Sequence, residues 1–251
     1  MISFASIAFL TVAGVVAGTI GAAGGITSLV AYPALLAVGL PPVAANVTNS
    51  VALLGSGFGS SLRAGRDLRG HSGTLKKWLP ITVGFSLVGA AALLLTPGEV
   101  FEKIVPWLVV IGSLALLLQP RLRGAMERRG KSLPTALVLT IGALVAVYNG
   151  YFGAGSGILM IAVLMLTSEP SLVRANAIKN VVLVAADILP AILFALSAHL
   201  VWWALWPLLV GSWIGGLIGP SVARVVNPNV LRVAIAVCGF VLAAALLLGW
   251  M

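Results

Sequence analysis

The sequence predicts an all-α integral membrane protein made of two inverted-topology helical repeats, with roughly eight to ten membrane segments, some broken or re-entrant. Three observations carry this prediction. Of 251 residues, 60% are hydrophobic and only 8% are charged, and the mean hydropathy is +1.13, so water is the wrong solvent for most of the surface. Long apolar runs without strict alternation favour helices over a barrel, because a chain in lipid must satisfy its backbone polar groups internally. A glycine-rich block and an asparagine block each occur twice.

The first apolar segment, residues 2–20, is long enough to cross at about 1.5 Å per residue against a hydrocarbon core of about 30 Å. It has no basic leader and runs into glycines rather than a cleavage site, so a retained helix is expected. The second, 26–40, is short, carries Pro33 and stops at Gly39-Leu40-Pro41-Pro42, where the double proline prevents continuation. It either crosses obliquely or is re-entrant. The third, 43–62, holds Gly55 and Gly59 at the spacing that lets helices approach closely. The fourth, 78–95, is closed by Thr96-Pro97-Gly98, and the fifth, 104–118, leads to a basic loop. Segments 133–147, 158–166, 175–196, 203–218 and 230–250 repeat the scheme. Pro80, Gly84 and Gly89 return as Pro207, Gly211 and Gly216 at an offset of 127. The economical reading is an N-terminal repeat, 1–120, a basic linker, 121–132, and a C-terminal repeat, 133–251.

Charge placement orients the halves. The net charge is +9, and ten of the fifteen Lys and Arg residues lie in two loops: Arg63, Arg66, Arg69, Lys76 and Lys77, then Arg121, Arg123, Arg128, Arg129 and Lys131. Such clustering is the positive-inside signature, which puts loops 63–77 and 120–132 in the cytoplasm of a multi-pass protein of the cell (inner) membrane. The loop with Glu99, Glu102 and Lys103 is poor in positive charge, hence outside. In the second half, Arg224 falls in a loop predicted inside, and 197–201 in one predicted outside, with His199 but no Lys or Arg. With both basic loops inside and an odd number of crossings per half, the halves run in opposite senses. The alternative is eight crossings, with the second and seventh segments re-entrant or fused to their neighbours. The basic patches lack interleaved aromatics and a soluble domain, which argues against nucleic acid and leaves the lipid bilayer as their partner. Cys238 is the single thiol, so neither a disulfide framework nor a cysteine metal cluster is expected, and no cofactor is called for.

The duplicated blocks carry the chemistry. Gly18, Gly21 and Gly25 map onto Gly150, Gly153 and Gly157 with one offset of 132 residues, and Asn46 maps onto Asn176 once two residues are deleted. Several glycines in a buried segment free the backbone from helix, and where the helix restarts its N–H groups and positive dipole end favour an anion. Gly24 and Gly25 precede one such restart, and Gly155 and Gly157 another, with Ser156 between them. The bland alternative is that small residues simply let helices touch. Asn46, Thr48, Asn49 and Ser50, and in the second half Asn176 and Asn180, are candidate donors to oxyanion oxygens, with helix capping or interhelical bonding as the alternative. Lys179 is a cation inside a membrane segment, either a ligand for an anion or a side chain snorkelling to the cytoplasmic surface. Asp187 is the acidic residue well inside an apolar segment, on the face of Asn176, placed to carry a proton or sodium ion or to form a structural ion pair. Arg174 reads as a cytoplasmic anchor.

The glycine block followed by Pro33 and Ala45-Asn46, repeated as Gly153-Ala154-Gly155-Ser156-Gly157 and Ala175-Asn176, resembles the TauE/SafE sulfite exporter family of membrane permeases over nearly the whole chain. The resemblance implies transport of small sulfur-containing or organic anions of the sulfite, sulfonate, sulfoacetate or thiosulfate class, coupled to an ion gradient. The two copies differ, with Lys179 standing where Asn49 does and Ser156 where Gly24 does, so the site need not be symmetric. The rival from another class is an intramembrane serine hydrolase with Ser156 as nucleophile and His199 as base, although His199 beside Trp202 and Trp203 also fits an interfacial position. A cation channel or metal carrier lacks acidic rings and histidine clusters.

Overall fold

A computed structural model describes residues 3–24, 27–63, 70–127, 134–167, 171–222 and 228–248. Among these the chain is helical with no strand. The helices are α1 (Phe4–Gly24), α2 (Ser28–Ala37), α3 (Pro42–Ala52), α4 (Leu54–Arg63), α5 (Ser72–Leu95), α6 (Gly98–Glu127), α7 (Thr135–Tyr151), α8 (Ser156–Thr167), α9 (Leu172–Ala195), α10 (Trp202–Val222) and α11 (Pro228–Leu247). Five stretches are long and apolar enough to cross a membrane: Phe4–Ala22, Ser72–Leu95, Gly98–Leu118, Arg174–Ala195 and Trp202–Gly219. With 10 and 12 residues, α2 and α8 reach only about 15–18 Å, half of a hydrocarbon core. Both follow a glycine block, as the sequence predicts.

Several boundaries differ from the sequence expectation. The third apolar segment is two helices, broken at Leu53. Helix α1 continues through most of the first glycine block to Gly24, because glycine in a helix costs only about 1 kcal/mol and close packing there offsets it. Helix α5 begins at Ser72, so Lys76 and Lys77 stand on helix rather than loop, and α6 carries Arg121 and Arg123 despite Pro106 and Pro120. Arg66, Arg69, Arg128, Arg129, Lys131 and Arg224 lie outside the described residues.

Helix packing follows the small residues. Helix α1 lies along α10, α4 also packs on α10, α5 packs on α7 and α9, and α6 packs on α11. A Cβ on Gly18 would strike the Ser212 carbonyl, and one on Gly150 would strike the Ser86 carbonyl, so each block's leading glycine sits backbone to backbone with a helix of the other half. Exchanging the halves turns the α1–α10 pair into α7–α5 and the α4–α10 pair into α9–α5, and returns α6–α11 to itself. The core joins Tyr32, Phe101 and Phe152, the Tyr32 and Phe152 rings meeting edge to face at 5.3 Å. Phe9, Val12, Trp107, Trp206 and Val241 face outward, as residues in contact with acyl chains do.

Gly150→Val should destabilise the protein by about 1–3 kcal/mol through overpacking against Ser86. Gly84→Ala, in a helix with nothing within 4 Å of the added carbon, should be neutral or stabilising. Thermal unfolding of the two purified variants in detergent checks both.

Candidate functional site

The second glycine block makes a true break. Helix α7 ends at Tyr151, and Gly153 and Gly155 both have φ of +77° before α8 starts at Ser156. A side chain in that left-handed region costs about 1–2 kcal/mol, which is why glycine stands at both places. The turn is held from within and from outside. Tyr148 donates its hydroxyl to the Ala154 carbonyl at 2.6 Å, and Asn46 of α3 donates Nδ2–H to the Tyr151 carbonyl at 2.9 Å. At the first block Asn176 of α9 donates Nδ2–H to the Ala22 carbonyl at 3.4 Å.

Where these helix ends meet lies a cavity of about 90 Å³. Helix α1 contributes Gly21, the start of α2 gives Thr27 and Ser28, and Ser50, Leu53 and Ser56 flank the α3–α4 break. The other half contributes Asn149, Phe152 and Gly153 before the turn and Ser156 and Gly157 after it. Helix α9 contributes Lys179, Asn180, Leu183, Val184 and Asp187. The lining therefore mixes apolar side chains with hydroxyls, amides and two opposite charges.

The charges are held differently. Lys179 is 2% exposed and makes no ion pair or hydrogen bond among the described residues, so snorkelling to the surface is not its role here. Asp187, eight residues on and about 12 Å along the helix axis, accepts Nδ2–H from Asn149 at 2.6 Å. Asn149 in turn accepts the Ser156 hydroxyl on Oδ1 at 2.6 Å and turns Nδ2 also to Ser86 Oγ at 3.3 Å.

Of the residues singled out from sequence, Gly21, Ser50, Gly153, Ser156, Gly157, Lys179, Asn180 and Asp187 line this cavity. Gly24 closes α1, and Gly25 lies outside the described residues. Asn46, Asn49 and Asn176, expected to donate to an anion, are not among the residues lining the cavity. Asn49 donates to Ser28 Oγ at 3.2 Å, and the other two donate to helix-end carbonyls, so their N–H groups tie helices together. Thr48 accepts the Val201 amide at 3.2 Å, and Ser50 donates to the Asn46 carbonyl. Gly155 packs on Gly112 rather than facing the cavity. Asn149 was missed because the position 132 residues earlier is Ala17, so duplication did not flag it. The hydrolase reading loses its base: Ser156 bonds to a carboxamide, while His199 is exposed beyond the end of α9, more than two turns past Asp187. No cluster of three or more His, Cys, Asp or Glu suited to a metal ion occurs among the described residues.

A family model described as "Sulfite exporter TauE/SafE" matches residues 7–246. The chain belongs to the TauE/SafE family. Curated relatives within reach of this family member are named as membrane transporters. It is 26% identical to "Probable membrane transporter protein ORF9" of Sinorhizobium sp over 250 residues, covering 98% of this chain and 94% of that protein. A "Probable membrane transporter protein" of Haemophilus influenzae is 26% identical, with 97% and 96% covered. "Probable membrane transporter protein YfcA" of Escherichia coli K12 is 27% identical over 232 residues, with 92% and 86% covered. No solved structure matches the chain. The TauE/SafE assignment and the apolar helices together make this a multi-pass membrane transporter.

Gly153→Ala should cost about 1–2 kcal/mol for its left-handed backbone, and the new carbon would also sit 3.1 Å from the Asn149 carbonyl oxygen. A lowered unfolding temperature in detergent relative to wild type is the expected reading.

Proposed function

We propose that this TauE/SafE member is a secondary transporter of small sulfur-containing or organic anions of the sulfite, sulfonate, thiosulfate or sulfoacetate class. The anion is bound between the broken-helix elements by Lys179, Asn180 and the N-terminal turn of α8. The observation that carries this reading is Lys179, a buried cation facing a polar cavity with no ion pair among the described residues, the carboxylate of the lining, Asp187, standing eight residues along α9 and bonded to Asn149. An uncompensated cation in low dielectric is costly, and an anionic substrate removes that cost. The positive end of α8, opened by Ser156 and Gly157 at the cavity wall, adds to the same field.

Asp187 is the coupling group for a proton or a sodium ion, since it is a carboxylate in the same cavity bonded to a carboxamide rather than to a cation. An interior-negative potential drives anions outward by about 2.3 kcal/mol per charge per 100 mV, so uptake needs such coupling and export does not. The halves 1–120 and 133–251 act as inverted repeats rocking about this site in the cell (inner) membrane, with the basic stretches 63–77 and 120–132 on the cytoplasmic side. The exchange of helix pairs between halves supports this plan, as do the reciprocal ties from Asn46 to the end of α7 and from Asn176 to the end of α1.

Lys179→Met should weaken binding of sulfite, thiosulfate and methanesulfonate by about ten- to a hundredfold, the worth of a charge-assisted contact of roughly 1.5–3 kcal/mol, while Lys179→Arg retains most of it. Titration calorimetry on the purified proteins makes the comparison, and unchanged affinity for all three anions in Lys179→Met would sink the proposed site. Asp187→Asn should still exchange anion across proteoliposomes but lose accumulation driven by an imposed proton or sodium gradient. Undiminished gradient-driven accumulation would remove Asp187 from the coupling role.

A further inference from the structure

Ser156 begins α8, Asp187 lies in the middle of α9, and a single side chain of α7 joins them. Asn149, buried, donates Nδ2–H to Asp187 Oδ1 at 2.6 Å and receives the Ser156 hydroxyl proton on Oδ1 at 2.6 Å. Its Nδ2 also faces the buried Ser86 Oγ on α5 at 3.3 Å. A carboxamide has one donating and one accepting end, and its neighbours decide which way it points. An ionised carboxylate can only accept, so Asp187 draws Nδ2 to itself and leaves Oδ1 for Ser156. The hydroxyl of Ser156 has one proton, and here it is given to Asn149. What Ser156 then turns to the cavity is lone pairs, which repel an anion.

We infer that Asn149 is a positioning residue that couples the charge state of Asp187 to the anion affinity of Ser156, by reversing the direction of the hydrogen bonds that pass through its carboxamide. The inference rests on the anion site proposed above. Once a proton or sodium ion neutralises Asp187, a hydroxyl or a cation can face Asn149, and either is met by an acceptor. The carboxamide turns by half a rotation, Oδ1 meets Asp187, and Nδ2 meets Ser156. The Ser86 hydroxyl, free to rotate, reverses from acceptor to donor toward Oδ1. Ser156 now accepts from Nδ2, and its own proton points to the anion beside Lys179. No covalent bond between heavy atoms changes.

The surroundings keep this relay specific. Lys179 and Asp187 are the charged groups among the residues lining the cavity. Helices α3 and α8, packed on α9, carry no Asp, Glu, Lys, Arg or His, and α7 brings only Tyr148 and Tyr151, whose hydroxyls go to the Ala154 carbonyl and Thr96 Oγ1. Helix α5 brings Lys76 and Lys77 on exposed early turns, about 14 Å before Ser86 along the axis, with His71 preceding its first turn. Helix α4 brings Arg63 as its last residue, and α9 itself carries exposed Arg174 in its first turn.

The test measures thiosulfate affinity of the full-length protein at the acid and alkaline plateaus, and again with and without sodium at fixed pH, thiosulfate being chosen because its charge is constant over the neutral range. Ser156→Ala should cost about tenfold where Asp187 is neutralised and less than about twofold where it is ionised, since the hydroxyl helps the anion in only one state. In an Asp187→Asn background the Ser156→Ala cost should be about tenfold under all conditions. In an Asn149→Leu background it should become the same at both plateaus. Should Asn149→Leu fail to fold, the Asp187→Asn comparison decides alone. A Ser156→Ala cost that is equal in both states of the otherwise wild-type protein, or wild-type affinity that responds to neither protons nor sodium, overturns the relay. Thiosulfate binding that is absent or indifferent to Lys179→Met overturns instead the anion site on which it rests.

Discussion

An α-helix interrupted inside a bilayer leaves carbonyl groups that hydrocarbon cannot hydrogen-bond, and the rest of this structure depends on how they are satisfied. Each interruption has an answer, and most answers come from the other half of the chain. The Ala22 carbonyl at the end of α1 receives Asn176, the Tyr151 carbonyl at the end of α7 receives Asn46, and the Ala52 carbonyl at the α3–α4 break receives the Ser212 hydroxyl at 2.8 Å. Tyr148 closes the remaining turn onto Ala154. Because a helix end in one half is held by a side chain of the other, neither half satisfies its own interruptions alone.

This arrangement explains why the cavity lies where it does. Helices that stop in the interior leave space beyond their ends, and the residues around that space are those freed from regular packing. The break in the second block carries two left-handed glycines, while in the first block α1 remains helical to Gly24. The same half also supplies Lys179, Asp187, Asn149 and Ser156. The first half lends hydroxyls and small residues: a Cβ on Gly21 would collide with Thr27 Oγ1, so that contact too depends on glycine. The two halves share one packing scheme but divide the polar work unequally.

A polar cavity in an apolar protein puts every hydrogen-bond direction at stake, because no bulk water is at hand to replace a lost partner. Asn46, Asn49 and Asn176 each leave a buried Oδ1 without a partner among the described residues, whereas Asn149 uses both ends of its carboxamide. That difference separates asparagines that hold helix ends from the one that connects the two polar poles of the site. Charges of opposite sign, Lys179 and Asp187, stand eight residues apart on one helix at the cavity wall without pairing with each other.

By itself the sequence determined the solvent, the helical class, the recurrence of the glycine and asparagine blocks and the family, since composition, long apolar runs and repeated glycines are local properties that survive without coordinates. It also marked Lys179 and Asp187, because a charge in an apolar run is costly wherever the chain goes. Only the tertiary structure decided which glycines break a helix and which pack against one. Gly18 and Gly153 read alike in sequence, yet one meets the Ser212 backbone and the other has a left-handed φ. Likewise only the structure separated Asn46 and Asn176, bonded to carbonyls, from Asn149, whose part in the site comes from partners 7, 38 and 63 residues away. Hydrogen-bond direction depends on what stands opposite a side chain, and that is set by packing between helices far apart in the chain.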